Sequence, residues 1–166
     1  MFLRDFRMIE AFVSVAEGQS LSSYFAHRRT YVNLRAAHWG DASSDRTHAV
    51  LRIDQILWAT EPDGDMPLVS ASGGGRRRSV EVQLEGGLLM RGGQPMGEQQ
   101  RLSDFLESTS NFIALQDTHL LRSGRPPKQT NVVLGSVVVN QAAIQALWEV
   151  SPAGPPVSEL SAPEFE

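Results

Sequence analysis

No cysteine occurs in the 166 residues, which removes disulfides, thiolate nucleophiles, cysteine-ligated zinc and iron–sulfur clusters together. Lysine is nearly absent, with Lys128 alone among fifteen Lys and Arg residues. No stretch reaches the ~18 consecutive apolar residues that a membrane helix needs. Met1–Met8 holds Arg4, Asp5 and Arg7 where a signal peptide requires an apolar run. These features lead to the expectation of a soluble, cytoplasmic chain, peripheral on the cytoplasmic face of a membrane complex if a partner holds it there.

The motifs of chemistry are missing as well. No Gly-x-Ser-x-Gly elbow presents a serine nucleophile. The four histidines, His27, His38, His48 and His119, show neither His-x-His nor His-x₃-His spacing, so a metal site is not expected. Asp63 and Asp65 lie in a polar stretch where solvation keeps carboxylates ordinary, whereas a catalytic acid needs burial to shift its pKa. Ser72-Gly73-Gly74-Gly75-Arg76-Arg77-Arg78-Ser79 has the glycines of a phosphate loop but lacks the Gly-Lys-Ser/Thr ending and the helix that would follow it. The expectation is a chain that is not an enzyme, with no catalytic residue, cofactor or metal.

What is present suits a folded protein. Apolar residues make up 41% and charged residues 20%, enough to build a core. The net charge of −4 is unevenly spread. Residues 1–62 hold seven basic and seven acidic groups, residues 63–79 three and two, and residues 80–166 five and ten. The second half is thus the acidic one, and the basic cluster lies between the halves.

An internal repeat is visible at an offset of 81. Gln19-Ser20-Leu21-Ser22-Ser23-Tyr24-Phe25 falls on Gln100-Arg101-Leu102-Ser103-Asp104-Phe105-Leu106, Tyr31–Leu34 on Phe112–Leu115, and His38 on His119. Further on, His48–Trp58 resembles Ser136–Trp148 at an offset of 88 to 90, because Arg122–Lys128 is a longer loop.

Val80, Val82 and Leu84 alternate with Ser79, Glu81, Gln83 and Glu85, the period of a half-buried strand. Glu85-Gly86-Gly87 reads as a turn, and Gly92-Gly93 ends or bulges the returning strand. Ser103 and Asp104 stand where side chains would cap a short helix carrying Leu102, Phe105 and Leu106. Phe112–Leu115, Asn131–Leu134 and Val137–Val139 are strands by their β-branched content. Ala143–Trp148 reads either as a strand or as two helical turns. In the first copy Met8–Val15 is a strand, followed by a Leu21–Phe25 turn, then Tyr31–Leu34, Ala49–Ile53 and Ile56–Trp58. A counterpart of Val80–Leu84 is not evident there, and Met66–Val69 is the candidate to supply it.

The expected organisation is a degenerate first copy over 1–62, a Gly/Arg linker over 63–79, a second copy over 80–150 and an extended, proline-rich tail over 151–166. Val80–Gly87, Arg101-Leu102-Ser103-Asp104-Phe105-Leu106, Phe112–Asp117 and Val137–Asn140 with Ile144 resemble an uncharacterised bacterial family of small Sm/SH3-like barrels. The family often has Asn at the position of Glu107, and the first copy keeps only Leu21, Ser22 and Tyr24 of the helix motif. The resemblance implies a mainly β fold of two tandem small barrels, each with a short helix. It does not imply an activity. It further implies a likeness in character to a small soluble accessory subunit of gemmatimonad photosynthetic reaction-centre complexes, and so protein subunits of a larger complex, membrane-embedded or not, as partners.

The residues expected to meet partners are Arg76, Arg77 and Arg78, the tryptophans Trp39, Trp58 and Trp148, and Pro155 and Pro156 of the tail. The arginines read as a solvated linker, as an anchor for an acidic partner or lipid headgroups, or as a contact for RNA in a regulatory barrel. Nucleic acid is the least favoured, since no stacking aromatics lie beside them. Trp58 and Trp148 fall near the copy ends and are expected to bury between barrels.

Overall fold

The computed structural model describes residues 1–27, 30–40, 46–60, 76–109, 111–124, 126 and 128–150. In the first half a minimal strand, β1 (Phe2–Leu3), turns into β2 (Ile9–Phe12). A short helix, α1 (Leu21–Ala26), leads to the hairpin of β3 (Tyr31–Trp39) and β4 (Arg46–Arg52). A 3₁₀ turn at Ile53–Gln55 then feeds β5 (Ile56–Thr60). The second half repeats this order with longer strands: β6 (Arg76–Leu84), β7 (Leu88–Met96), α2 (Leu102–Ser108), β8 (Phe112–Ser123), β9 (Lys128–Asn140) and β10 (Ile144–Glu149). Ala143–Trp148 is therefore a strand, entered from a 3₁₀ turn at Gln141–Ala143.

Among the described residues the strands form two open antiparallel sheets. One has seven strands in the order β1-β5-β9-β8-β7-β6-β10, and the other has three, β2-β3-β4. The protein is thus mainly β.

The offset of 81 is present in the hydrogen-bonded register. Ile9 faces Trp39 as Met90 faces Leu120, and Glu10 faces His38 as Arg91 faces His119. Phe12 faces Arg35 as Gly93 faces Gln116, with the register slipping at the same place in both copies. Past the longer loop the offset is 88: Val32 faces Leu51 as Ile113 faces Val139. Even the backbone distortions coincide. Phe6 and Gly87 have φ of 68° and 78°, and Ala36 and Asp117 have 45° and 49°.

Three expectations are corrected here. Leu3 pairs with Ile56 as Leu84 pairs with Ile144, so β1 is the first half's short counterpart of Val80–Leu84, cut to two residues. Met66–Val69, proposed for that place, lies outside the described residues. Arg76–Ser79 belong to β6 rather than to a linker, because they pair in unbroken register with Gly93–Met96. Ser103 and Asp104 do not cap α2: the cap position is Arg101, without a side-chain bond, and Ser103 Oγ instead donates to Asp104 Oδ1 at 3.2 Å. The cap is present in α1, where Ser20 Oγ accepts from the Ser23 N–H at 3.1 Å.

Gly92-Gly93 sits inside β7, and the register to β8 shifts between Arg91 and Gly93. The glycines thus mark a bulge rather than a strand end. The Glu85–Gly87 turn holds Gly86 at φ 73° beneath the ring of Phe6, whose nearest carbon would lie 1.8 Å from any added Cβ.

The core is shared between the halves. β5 is covered by β9, with Trp58 opposite Val139, Ala59 opposite Val138 and Thr60 opposite Val137. Alternation then sends Val138 into a cluster with Leu34, Phe25 and Ile56, while Val137 and Val139 enter another with Val82, Leu84 and Met90. Burial on both faces is what an uninterrupted Val-Val-Val run serves. Phe112 and Ala114 of β8 join the first half's cluster, and Leu57 and Trp58 of β5 join the second half's.

Candidate interaction surfaces

The arginine cluster lies along one end of β6, beside an open cleft of about 780 Å³ that also takes in Arg91, Asp117 and Glu149. Arg77 crosses the neighbouring strand to reach β8, where it donates to the Asp117 carboxylate and to Gln116 Oε1. Gly93 makes that path available, since a Cβ there would stand 2.4 Å from Arg77 Cδ. Arg78 donates to the Gly97 carbonyl at 3.1 Å and to the Glu98 carbonyl, and lies 3.5 Å from Glu149. Arg76 is exposed and makes no side-chain bond among the described residues. The cluster is therefore a set of cross-strand ties, with Arg77 and Arg78 facing acids and carbonyls. An acidic ligand would have to displace those groups before gaining the arginines.

Deeper in the same sheet, Arg91 donates to Glu81 Oε1, and the Trp148 indole donates to Glu81 Oε2 at 2.8 Å. Glu81 is buried, against the outward position its place in the alternation suggests. A buried carboxylate is tolerable because both oxygens are satisfied. Nothing in the spacing of Glu81, Arg91 and Trp148 discloses this network, since they come from three strands.

The tryptophans are not equivalent to one another. Trp58 is 3% exposed, stacked on Phe2 with centroids 5.5 Å apart, within the cluster built mainly from the second half. Trp148 is half-buried with its N–H engaged by Glu81. Trp39 packs at the edge of the first cluster with the Arg46 guanidinium 5.9 Å from its ring centroid. Pro155 and Pro156 lie outside the described residues.

His38 and His119 occupy equivalent register positions. His119 meets the side chain of Asn131, Nδ1 to Oδ1 at 3.2 Å, rather than backbone. Among the described residues no group of three or more His, Asp or Glu side chains is placed to hold a metal ion. No helix among them is long and apolar enough to cross a membrane.

Large apolar side chains stand exposed on the strands, Phe12 at 70%, Val133 at 69% and Val50 at 66%, with Tyr31 and Val132 about half exposed and Met8, just before β2, likewise. Sequence patterning missed this surface, because a valine or phenylalanine in a strand looks the same whether its neighbour is present or not. The junction residues were also hidden. Asn140 is buried and donates from Nδ2 to the carbonyls of Ile56 at 2.8 Å and Ile53 at 3.3 Å, tying the halves together. Thr60 Oγ1 adds a bond to the Ser136 carbonyl at 2.8 Å.

Compared with family models, curated proteins and solved structures, the chain matches none of them.

Proposed function

We propose that the chain is a non-catalytic interaction subunit, built of two tandem Sm/SH3-like units, that docks on a larger protein assembly. The tandem reading is supported by the shared register of the halves, each with its last strand laid against its first. The docking role rests on one observation: Phe12 and Val133 stand about seven-tenths exposed on strands. Phe12 lies on β2 and Val133 beside the exposed Val132 on β9, and a partner surface laid on them would remove this apolar area from water. The resemblance noted in the sequence makes a membrane-bound photosynthetic reaction-centre or antenna complex the candidate assembly, reached from the cytoplasmic side without a span of the chain's own.

The test is a pull-down of the endogenous tagged chain from membranes and cytosol, run beside Phe12→Asp and Val133→Asp. Recovery of a defined set of protein subunits that both substitutions abolish supports the role. Equal recovery by the variants, or none by the parent chain, overturns it. Recovery that nuclease and moderate salt remove would instead favour RNA held through Arg76–Arg78.

A further inference from the structure

The strand pairing that joins the two halves has a donor side and an acceptor side, and each half carries both. β5 of the first half lies on β9 of the second. By the repeat, the counterpart of β5 is β10 and the counterpart of β9 is β4. Among the described residues both end their sheets: β10 is hydrogen-bonded to β6 alone and β4 to β3 alone.

The burial of equivalent residues tracks this difference. Val137, Val138 and Val139 are fully buried beside β5, whereas their counterparts are half-exposed Ala49, Val50 at 66% exposure and half-exposed Leu51. Leu57, Trp58 and Ala59 are buried beside β9, whereas Gln145 is exposed and Ala146 and Leu147 half-exposed on β10. A sheet edge with unpaired N–H and C=O groups and apolar side chains is a template for another strand.

We propose that β10 of one copy pairs antiparallel with β4 of the next, reproducing between chains the β5–β9 junction found within one. Carried across by the offsets of the repeat, the register sets Ala146 opposite Leu51, Leu147 opposite Val50 and Trp148 opposite Ala49 of the next copy. Continued by one residue, it sets Glu149 opposite His48. Two further contacts carry over. Phe25 stacks on Phe112 with centroids 4.8 Å apart, so Leu106 of one copy covers the exposed Tyr31 of the next. Arg52 stands where Asn140 stands; it pairs with Asp54 in the single chain, and in the junction it would exchange that exposed pair for the carbonyls of Gln141 and Ile144 of the neighbouring copy. The contact joins two different surfaces, so it continues from chain to chain and ends in a closed ring or an open filament. It does not depend on docking to any other assembly.

The absence of cysteine makes the register directly testable. Directly opposed residues of antiparallel strands fall within disulfide reach. Full-length Val50→Cys is mixed with full-length Leu147→Cys under mild oxidation, beside a control mixture of Val133→Cys and Leu147→Cys. The first mixture is expected to give roughly tenfold more disulfide-linked dimer than the control. Val50→Cys alone should give no more than the control, because like edges do not meet. Light scattering should show the parent chain assembled at micromolar concentration, with a fixed mass for a ring or a growing one for a filament. Val50→Asp should return it to a monomer whose circular dichroism still shows the folded single chain, since Val50 is exposed there. A parent chain monomeric at every concentration, cross-linking equal to the control, or assembly unaffected by Val50→Asp overturns the proposal.

Discussion

The second half keeps its five strands in a single sheet, whereas the first half divides its five between two sheets. The reason lies in strand length. β6 and β7 run nine residues each and pair along their whole length, but their counterparts β1 and β2 have two and four. In the first half that pairing shrinks to one bridge between Phe2 and Met8, at the position where Gln83 meets Leu89. Two short strands leave too little ladder to hold β5 and β2 in one sheet. The first half instead obtains its cover from β9, Phe112 and Ala114. The first half, whose own first strand is only two residues long, thus shares its core with the second.

If that is right, the halves are unequal in independence, and the largest effect comes from separating them. Residues 1–60 expressed alone are expected to be unfolded by circular dichroism and amide dispersion, because their core loses Phe112, Ala114 and Val138 together. A folded fragment would refute the dependence. Trp58→Ala, which empties the first half's principal contribution to the second cluster, should cost about 3–5 kcal/mol in urea unfolding. Asn140→Ala removes both bonds to the Ile53 and Ile56 carbonyls and should cost about 1–3 kcal/mol, with the slope of unfolding unchanged if the halves still melt as one.

A smaller change sharpens the comparison from the other direction. The bulge in β3 puts Ala36 at φ 45°, where the second half uses Asp117 at 49°. Alanine is strained there and aspartate less so. Ala36→Gly should therefore stabilise by about 1 kcal/mol, read as a raised melting temperature. Smallest of all is Arg77→Ala, whose pair with Asp117 is solvent-exposed and worth at most about 1 kcal/mol. A larger loss would mean that the arginine ties hold β6 to β8 more firmly than an exposed pair does.

Much of the fold was legible along the chain. The alternation in Val80–Leu84, the Glu85–Gly87 turn, the helix at Leu102–Leu106 and the offset of 81 each depend on residues close in sequence or on direct comparison of the copies. The sites were far less legible. Arg76–Arg78 look like a basic linker because three consecutive arginines after glycines carry no strand pattern. Their acidic partners, Asp117 and Glu149, come from β8 and β10. Ser103 and Asp104 look like caps because position relative to the helix start, which a residue or two decides, is invisible in composition.

Residue types and their order along the chain established that its 166 residues carry no thiol, that they repeat, and that their elements are mostly strands. Those properties follow from residue types and from periods of two, which are local. Which strands have neighbours was settled by pairing between distant segments. Val138 is buried beside β5, while Val50, at the same place in the other copy, meets solvent. Strand pairing is a contact between distant segments, so equivalent valines receive opposite surroundings, and the open edges that result are not written in either one.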